Sequence, residues 1–124
     1  MTAETRTHEC APITRTVLAL FAGASGDHNP IHIDLDVARA AGLDDVFAHG
    51  MLSAAYVARL VTEWFPQQRL LSLSTRFVAI TPVGATPTCT GAVTGQEDGQ
   101  IVLDLSVRLG DGTVTLTGTA RVAA

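Results

Sequence analysis

From about Gly50 to Trp64 the chain reads as one long helix that is apolar on nearly every side. Its two charges, Arg59 and Glu63, fall at i and i+4 on a single stripe. A helix with so little polar surface has to be surrounded by protein. After Pro66 the repeat of the pattern shortens to two, so the rest of the chain has to supply the surroundings as strands.

The strand signal is regular. Ile101, Leu103, Leu105, Val107 and Leu109 alternate with Val102, Asp104, Ser106 and Arg108, and Val114, Leu116, Gly118, Ala120 and Val122 alternate with threonines and Arg121. One face of each is buried and the other wet. Asp98-Gly99 and Asp111-Gly112 stand between such runs, where a type I′ hairpin turn is expected. Strands are therefore expected over residues 69–80, 86–97, 101–109 and 113–122 as an antiparallel meander, with a first strand ahead of Thr14 left open. The apolar face of that sheet needs a cover, and the helix starting near Gly50 is the one apolar enough to give it. The fold class is α+β, a curved antiparallel sheet wrapped around a long central helix, which is the hot-dog arrangement.

Ahead of that helix, Thr14 is placed to cap a helix carrying Val17, Leu18, Leu20 and Phe21 that Gly23 should stop. Residues 24–31 read as loop, and a short helix runs from Asp34 to Gly42 with Leu35, Ala38 and Ala41 on one face. A length of 124 residues is one domain, and 47% hydrophobic against 16% charged residues excludes a disordered chain. The apolar stretch at 51–65 falls short of a bilayer span, and residues 1–10 carry Glu4, Arg6, His8 and Glu9 where a signal peptide needs an apolar run, so a cytoplasmic location is expected. A net charge of −4 argues against a nucleic-acid partner. Cys10 and Cys89 have no metal-ligand spacing and are expected to be packed free thiols.

The chemistry concentrates in Gly26-Asp27-His28-Asn29-Pro30-Ile31-His32, where a carboxylate and an imidazole flank an Asn-Pro turn able to aim both into one cavity. An Asp and a His in a loop are more often turn and capping residues than catalysts, so spacing alone assigns nothing. The string, however, resembles the Gly-Asp-x-Asn-Pro-aliphatic-His signature of the MaoC-like hydratases and dehydratases, which include the (R)-specific enoyl-CoA hydratases. Ala48-His49-Gly50-Met51 at the head of the long helix matches a second element, and Arg76-Phe77 leading to Pro82-Val83-Gly84 a weaker third. Two departures are visible: Ala85 stands where an Asp usually follows the Gly, and the usual Val-Gly-Asp lead-in is missing.

The resemblance implies that Asp27 and His32 act together on one water, that Asn29 helps hold the site, and that Gly50 offers a backbone N–H to a thioester oxygen. Hydration of an enoyl thioester needs these types: a base for the water, an acid for the α-carbon, and donors for the charge that builds on the carbonyl. Helix N-terminal N–H groups suit that charge, and a glycine lets the carbonyl approach. His49 reads as a structural histidine bonding the loop, and His49 and Met51 join Asn29 as site-shaping residues. His28 should be exposed. Arg76 either pairs with Asp27 or another acid, or meets a substrate phosphate. Tyr56 and Trp64, at helical spacing with Leu60, read as core.

The expected activity is thus (R)-specific hydration of a trans-2-enoyl thioester or the reverse dehydration, with coenzyme A or acyl carrier protein as carrier and neither metal nor redox cofactor. A hot-dog thioesterase and a non-catalytic acyl-binding subunit are the alternatives. A homodimer is expected, because a sheet wound on one helix leaves edges with unpaired N–H and C=O groups.

Overall fold

The computed structural model describes residues 4–124, so the first three residues of the stretch at 1–10 lie outside it. Its elements run β1 (Thr5–Glu9), α1 (Arg15–Ser25), α2 (Leu35–Ala40), α3 (Gly50–Trp64), β2 (Leu70–Phe77), β3 (Thr88–Glu97), β4 (Gln100–Arg108) and β5 (Val114–Ala123). The open first strand is there as β1, paired antiparallel with β3. The five strands form one sheet in the order β1-β3-β4-β5-β2. Only β3, β4 and β5 make the expected meander. The strand β2, which follows α3 in the chain, pairs antiparallel with β5 at the opposite edge of the sheet from β1.

The alternation holds for most of β4 and β5, where Leu103, Leu105, Val107, Leu116, Ala120 and Val122 all turn inward onto Ala54, Val57, Leu60 and Val61 of α3, but it slips at Thr115, expected on the wet face and only 2% exposed, where the register of β5 against β4 shifts. This shared core is what bends the sheet round the helix. A second cluster, Ile13, Leu18, Ala38, Val46, Ala48 and Leu52, packs α1 and α2 over the start of α3. Tyr56 bridges the two clusters and Trp64 packs on the first, so both are core residues. Cys10 and Cys89 are free and buried, with Sγ atoms 4.0 Å apart, and burial pushes the Cys89 thiol up to about 12.

Several expectations change. Gly23 does not stop α1, which continues through residues 24 and 25 to Gly26; Gly26 takes the left-handed conformation (φ 78°) that ends helices, and its N–H bonds back to the Ala22 carbonyl. The short helix ends at Ala40, and of Leu35, Ala38 and Ala41 only Ala38 is fully buried. Asp98 and Gly99 both have positive φ, as type I′ requires, whereas at the next hairpin only Gly112 does. There the Gly112 N–H bonds to Leu109 O and the Leu109 N–H to Thr113 O, the three-residue loop with a left-handed glycine. Finally, α3 is not covered all round within one chain, for Gly50, Met51, Ala55, Arg59 and Glu63 form an exposed stripe. Arg59 and Glu63 pair along it at 3.9 Å.

Candidate active site

The loop after α1 is fixed by short side chains that each bond two residues onward. Ser25 Oγ accepts the Asp27 N–H (3.2 Å), Asp27 Oδ1 accepts the Asn29 N–H (3.2 Å), and Asn29 Oδ1 accepts the Ile31 N–H (3.1 Å). Such Asx-type bonds give a loop a defined shape without a core. Pro30 then starts a single 3₁₀ turn that drops His32 into the interior, where it is 8% exposed. Asp27 stays half exposed, with Oδ1 committed to the loop and Oδ2 free.

Oδ2 of Asp27 faces Nε2 of His32 at 3.9 Å. The other ring nitrogen, Nδ1, lies 2.7 Å from the Phe47 carbonyl oxygen. A carbonyl only accepts, so Nδ1 carries the proton and Nε2 of the neutral ring presents its lone pair toward the carboxylate. A water placed about 2.8 Å from both atoms would subtend roughly 90° between them, near its own bond angle. The pair is therefore spaced to share one water.

His49 holds both partners. Its Nε2 donates to the Asp27 backbone carbonyl at 3.1 Å, its ring stacks on His32 with centroids 3.9 Å apart, and Phe21 meets it edge-on at 4.9 Å. Burial is the main influence on its titration and pushes the imidazole below its ordinary value of 6.5, with the neighbouring His32 adding to that. Its Nδ1 is buried without a partner. Asp27, His32 and His49 each bring a possible ligand atom within 4.8 Å of the others. With Nε2 of His49 clamped on the Asp27 carbonyl and Nδ1 sealed from solvent, a metal would have to break the clamp, so the donor set does not fit an ion and suits proton transfer instead.

His49 is also the N-cap of α3 and makes no side-chain cap. The N–H groups of Gly50 and Met51 therefore have no hydrogen-bond partner among the described residues. They open on a cavity of about 470 Å³ that Asp27, Gly50, Ser53, Phe77 and Thr115 share. A second recess of about 520 Å³, walled by Phe21, Ala54, Ala58 and Leu73, meets the first at Asp27 and Met51.

Asp27, His32, His49, Gly50 and Met51 are thus brought together, while Asn29 serves through its loop bond and His28 is exposed. Arg76 does not pair with Asp27. It lies on the other face of β2, in a polar recess with Asp104 and Thr117 on the outside of the sheet. Phe77, part of the third element but given no role by it, also reaches the site, with ring carbons Cε1, Cδ1 and Cζ 3.1–3.2 Å from where a Cβ on Gly50 would be. A side chain at position 50 would thus press on the Phe77 ring, which would have to give by a few tenths of an ångström. Period two along β2 puts Leu73, Thr75 and Phe77 on one face and could have found it.

The family model described as "MaoC like domain" matches residues 2–113. A 3-hydroxyacyl-thioester dehydratase Z of Mycobacterium tuberculosis is 33% identical over 111 residues, covering 85% of this chain and 67% of the relative. An (R)-specific enoyl-CoA hydratase of Rhodospirillum rubrum is 35% identical over 85 residues, covering 67% of this chain and 59% of that one. Among solved structures, the (R)-hydratase of A. caviae superposes with a TM-score of 0.89 at 24% identity, covering 99% of this chain and 96% of the other, which establishes the hot-dog fold. The ChsH1-ChsH2 complex of Mycobacterium tuberculosis gives 0.87 at 25% identity, over 99% of this chain and 97% of that one. With the signature string folded as a carboxylate–imidazole pair beneath a free helix terminus, and a family match running through residue 113, this chain belongs to the MaoC-like domain family.

Proposed function

We propose that this protein interconverts a trans-2-enoyl thioester and its (R)-3-hydroxyacyl counterpart, with Asp27 and His32 as the catalytic pair. The observation that carries the reading is the 3.9 Å separation of Asp27 Oδ2 and His32 Nε2 beside the unpaired N–H groups of Gly50 and Met51. The Nε2 lone pair takes a proton from the shared water as its oxygen attacks C3, while Asp27 accepts a hydrogen bond from the O–H that stays on that oxygen, fixing the water's aim and stabilising the imidazolium. The proton is returned to C2 on the same face, so addition is syn and the ring ends neutral; dehydration is the reverse. Charge on the thioester oxygen is met by the N-terminus of α3. The apolar recess on the other side of Asp27 suits the acyl chain, and no step asks for a metal or redox cofactor.

The carrier is coenzyme A or acyl carrier protein, and the working form is a homodimer. The strand β2 is a sheet edge, and with the segment that follows it exposes Leu71, Leu73, Phe77, Val78 and Ile80. An edge this apolar is covered or paired in a working protein, and two copies related by a two-fold axis satisfy it at once. The same contact would cover Met51 at the mouth of the site, which is 59% exposed in the single chain. Light scattering should give twice 13.0 kDa; a fully active monomer refutes the assembly.

The activity is tested by following enoyl absorbance with trans-2-enoyl thioesters of increasing chain length and resolving the product on chiral standards. Loss of the enoyl band with an (R)-3-hydroxyacyl product is expected. Release of free thiol from a saturated acyl thioester, with no 3-hydroxyacyl product from the enoyl one, would make the protein a thioesterase, and binding without turnover would make it an acyl-binding subunit.

A further inference from the structure

The central helix begins in an unusual setting. Gly50 opens α3 with a free N–H, and the face of its Cα is closed by an aromatic ring that is itself 53% exposed. A phenylalanine at a sheet edge with half its surface in solvent contributes little to the core, and Phe77 belongs to neither of the two buried clusters. It lines the cavity with Asp27, Gly50 and Ser53, whose Oγ is buried and without a partner. The cavity thus has a polar pole, made by the helix terminus and Asp27, and one flat wall beside it.

We propose that Phe77 is a positioning residue of this site, its ring forming the wall that seats the planar enoyl thioester with the carbonyl oxygen on the Gly50 N–H. The inference rests on the hydratase reading above and adds a residue to it. The conjugated system C3=C2–C1=O is flat, and a backbone donor polarises it only when the oxygen lies near the N–H direction. The ring fixes one side of that slot, because its Cδ1, Cε1 and Cζ occupy the space next to the Gly50 Cα. It also shields the donor from water that would otherwise compete for it. Removing the ring leaves donor and catalytic pair in place and frees the substrate to tilt.

The readout is optical. A 2,4-dienoyl thioester absorbs at longer wavelength when its carbonyl is polarised, so its red shift on binding reports the donor contact apart from turnover. The Asp27→Asn variant, which keeps the loop but does not turn substrate over appreciably, is expected to show the shift, and adding Phe77→Ala is expected to abolish most of it. In the otherwise unchanged protein, Phe77→Ala should lower kcat by about 10–100-fold while KM moves by no more than about threefold. Phe77→Leu keeps apolar bulk but has no atoms where Cε1 and Cζ lie, so it should lose the shift as well, and it replaces the alanine variant if that one does not fold. Leu20→Ala trims an exposed apolar side chain of α1 that lines neither recess, and should keep shift and rate. A full shift in either folded Phe77 variant, or an equal loss in Leu20→Ala, overturns the proposal and leaves the hydratase reading standing. No shift in Asp27→Asn with Phe77 intact would count against the carbonyl contact at Gly50 itself.

Discussion

Replacing Asp27 with Asn separates catalysis from folding, because the two oxygens of this side chain do different work. Oδ1 accepts the Asn29 N–H and helps shape the loop, and the amide oxygen of Asn can take over that bond. The amide nitrogen must then lie where Oδ2 faced His32 at 3.9 Å. A carboxylate that accepted from the water becomes a donor, so the water can no longer direct one hydrogen to each partner. The imidazolium formed as Nε2 takes its proton also loses its counter-charge. Losing concerted acid–base work of this kind costs about 10²–10⁴ in rate, or about 2.7–5.4 kcal/mol of barrier at 1.36 kcal/mol per factor of ten. Asp27 is half exposed and its backbone carbonyl keeps the His49 bond, so stability should change by less than about 1 kcal/mol. The assay is the loss of enoyl absorbance at saturating substrate beside a thermal melt. A variant that kept more than about a tenth of the rate, or that lost rate only because it unfolded, would remove Asp27 from the mechanism.

Two further perturbations follow from particular contacts. Burial holds folded His49 below the ordinary 6.5, so as pH falls through 6.5 the unfolded chain takes up a proton first; stability present above that pH is lost going down toward the folded value. The melting temperature should drop over that window, and His49→Gln, which keeps a donor for the Asp27 carbonyl, should flatten the drop; an unchanged drop would assign it to other groups. At Gly118 an added Cβ would stand 2.5 Å from the Ser74 carbonyl oxygen, a backbone atom that cannot swing away. Gly118→Ala should therefore strain the pairing of β5 with β2 and destabilise by about 1–3 kcal/mol in denaturant titration, whereas Gly95→Ala, which meets nothing within 4 Å, should cost little for lack of contact.

Much of the fold is legible because its determinants are local. The long helix is written in residues 50–64, and its bounds are found where the apolar run begins and ends. Strands β3 to β5 follow from period two and from turns with glycine in place. The position of β2 is not local: Leu73 and Phe77 read the same whether the strand lies next to β3 or β5, and the pairing found is with β5. The end of α1 is not fixed by residue type alone. Gly23 reads as the stop by type, but the stop falls at Gly26, where the left-handed conformation and the bond to the Ala22 carbonyl close the helix one residue before Asp27.

The carboxylate–imidazole pair is legible because Asp27 and His32 stand in one string that matches the family signature, whereas what holds the pair in place comes from far along the chain. Asp27 is pinned by Ser25 and Asn29 beside it, but also by His49, twenty-two residues on. His32 is set in its tautomer by the Phe47 carbonyl, and Phe77 packs against the open face of Gly50. Each of these distant groups belongs to, or directly precedes, an element that is rigid for other reasons. His49 and Gly50 start a helix whose next turns sit in the core, and Phe77 ends a strand paired along its length with β5. What lies outside those elements is one short loop, itself closed by three side-chain bonds. A loop alone could bring a carboxylate near an imidazole. Holding both within the reach of a single water, with the N–H donors for developing charge on the same wall, needs the helix that the strands enclose, so the apolar run from Gly50 to Trp64 is as much a part of the site as the string that precedes it.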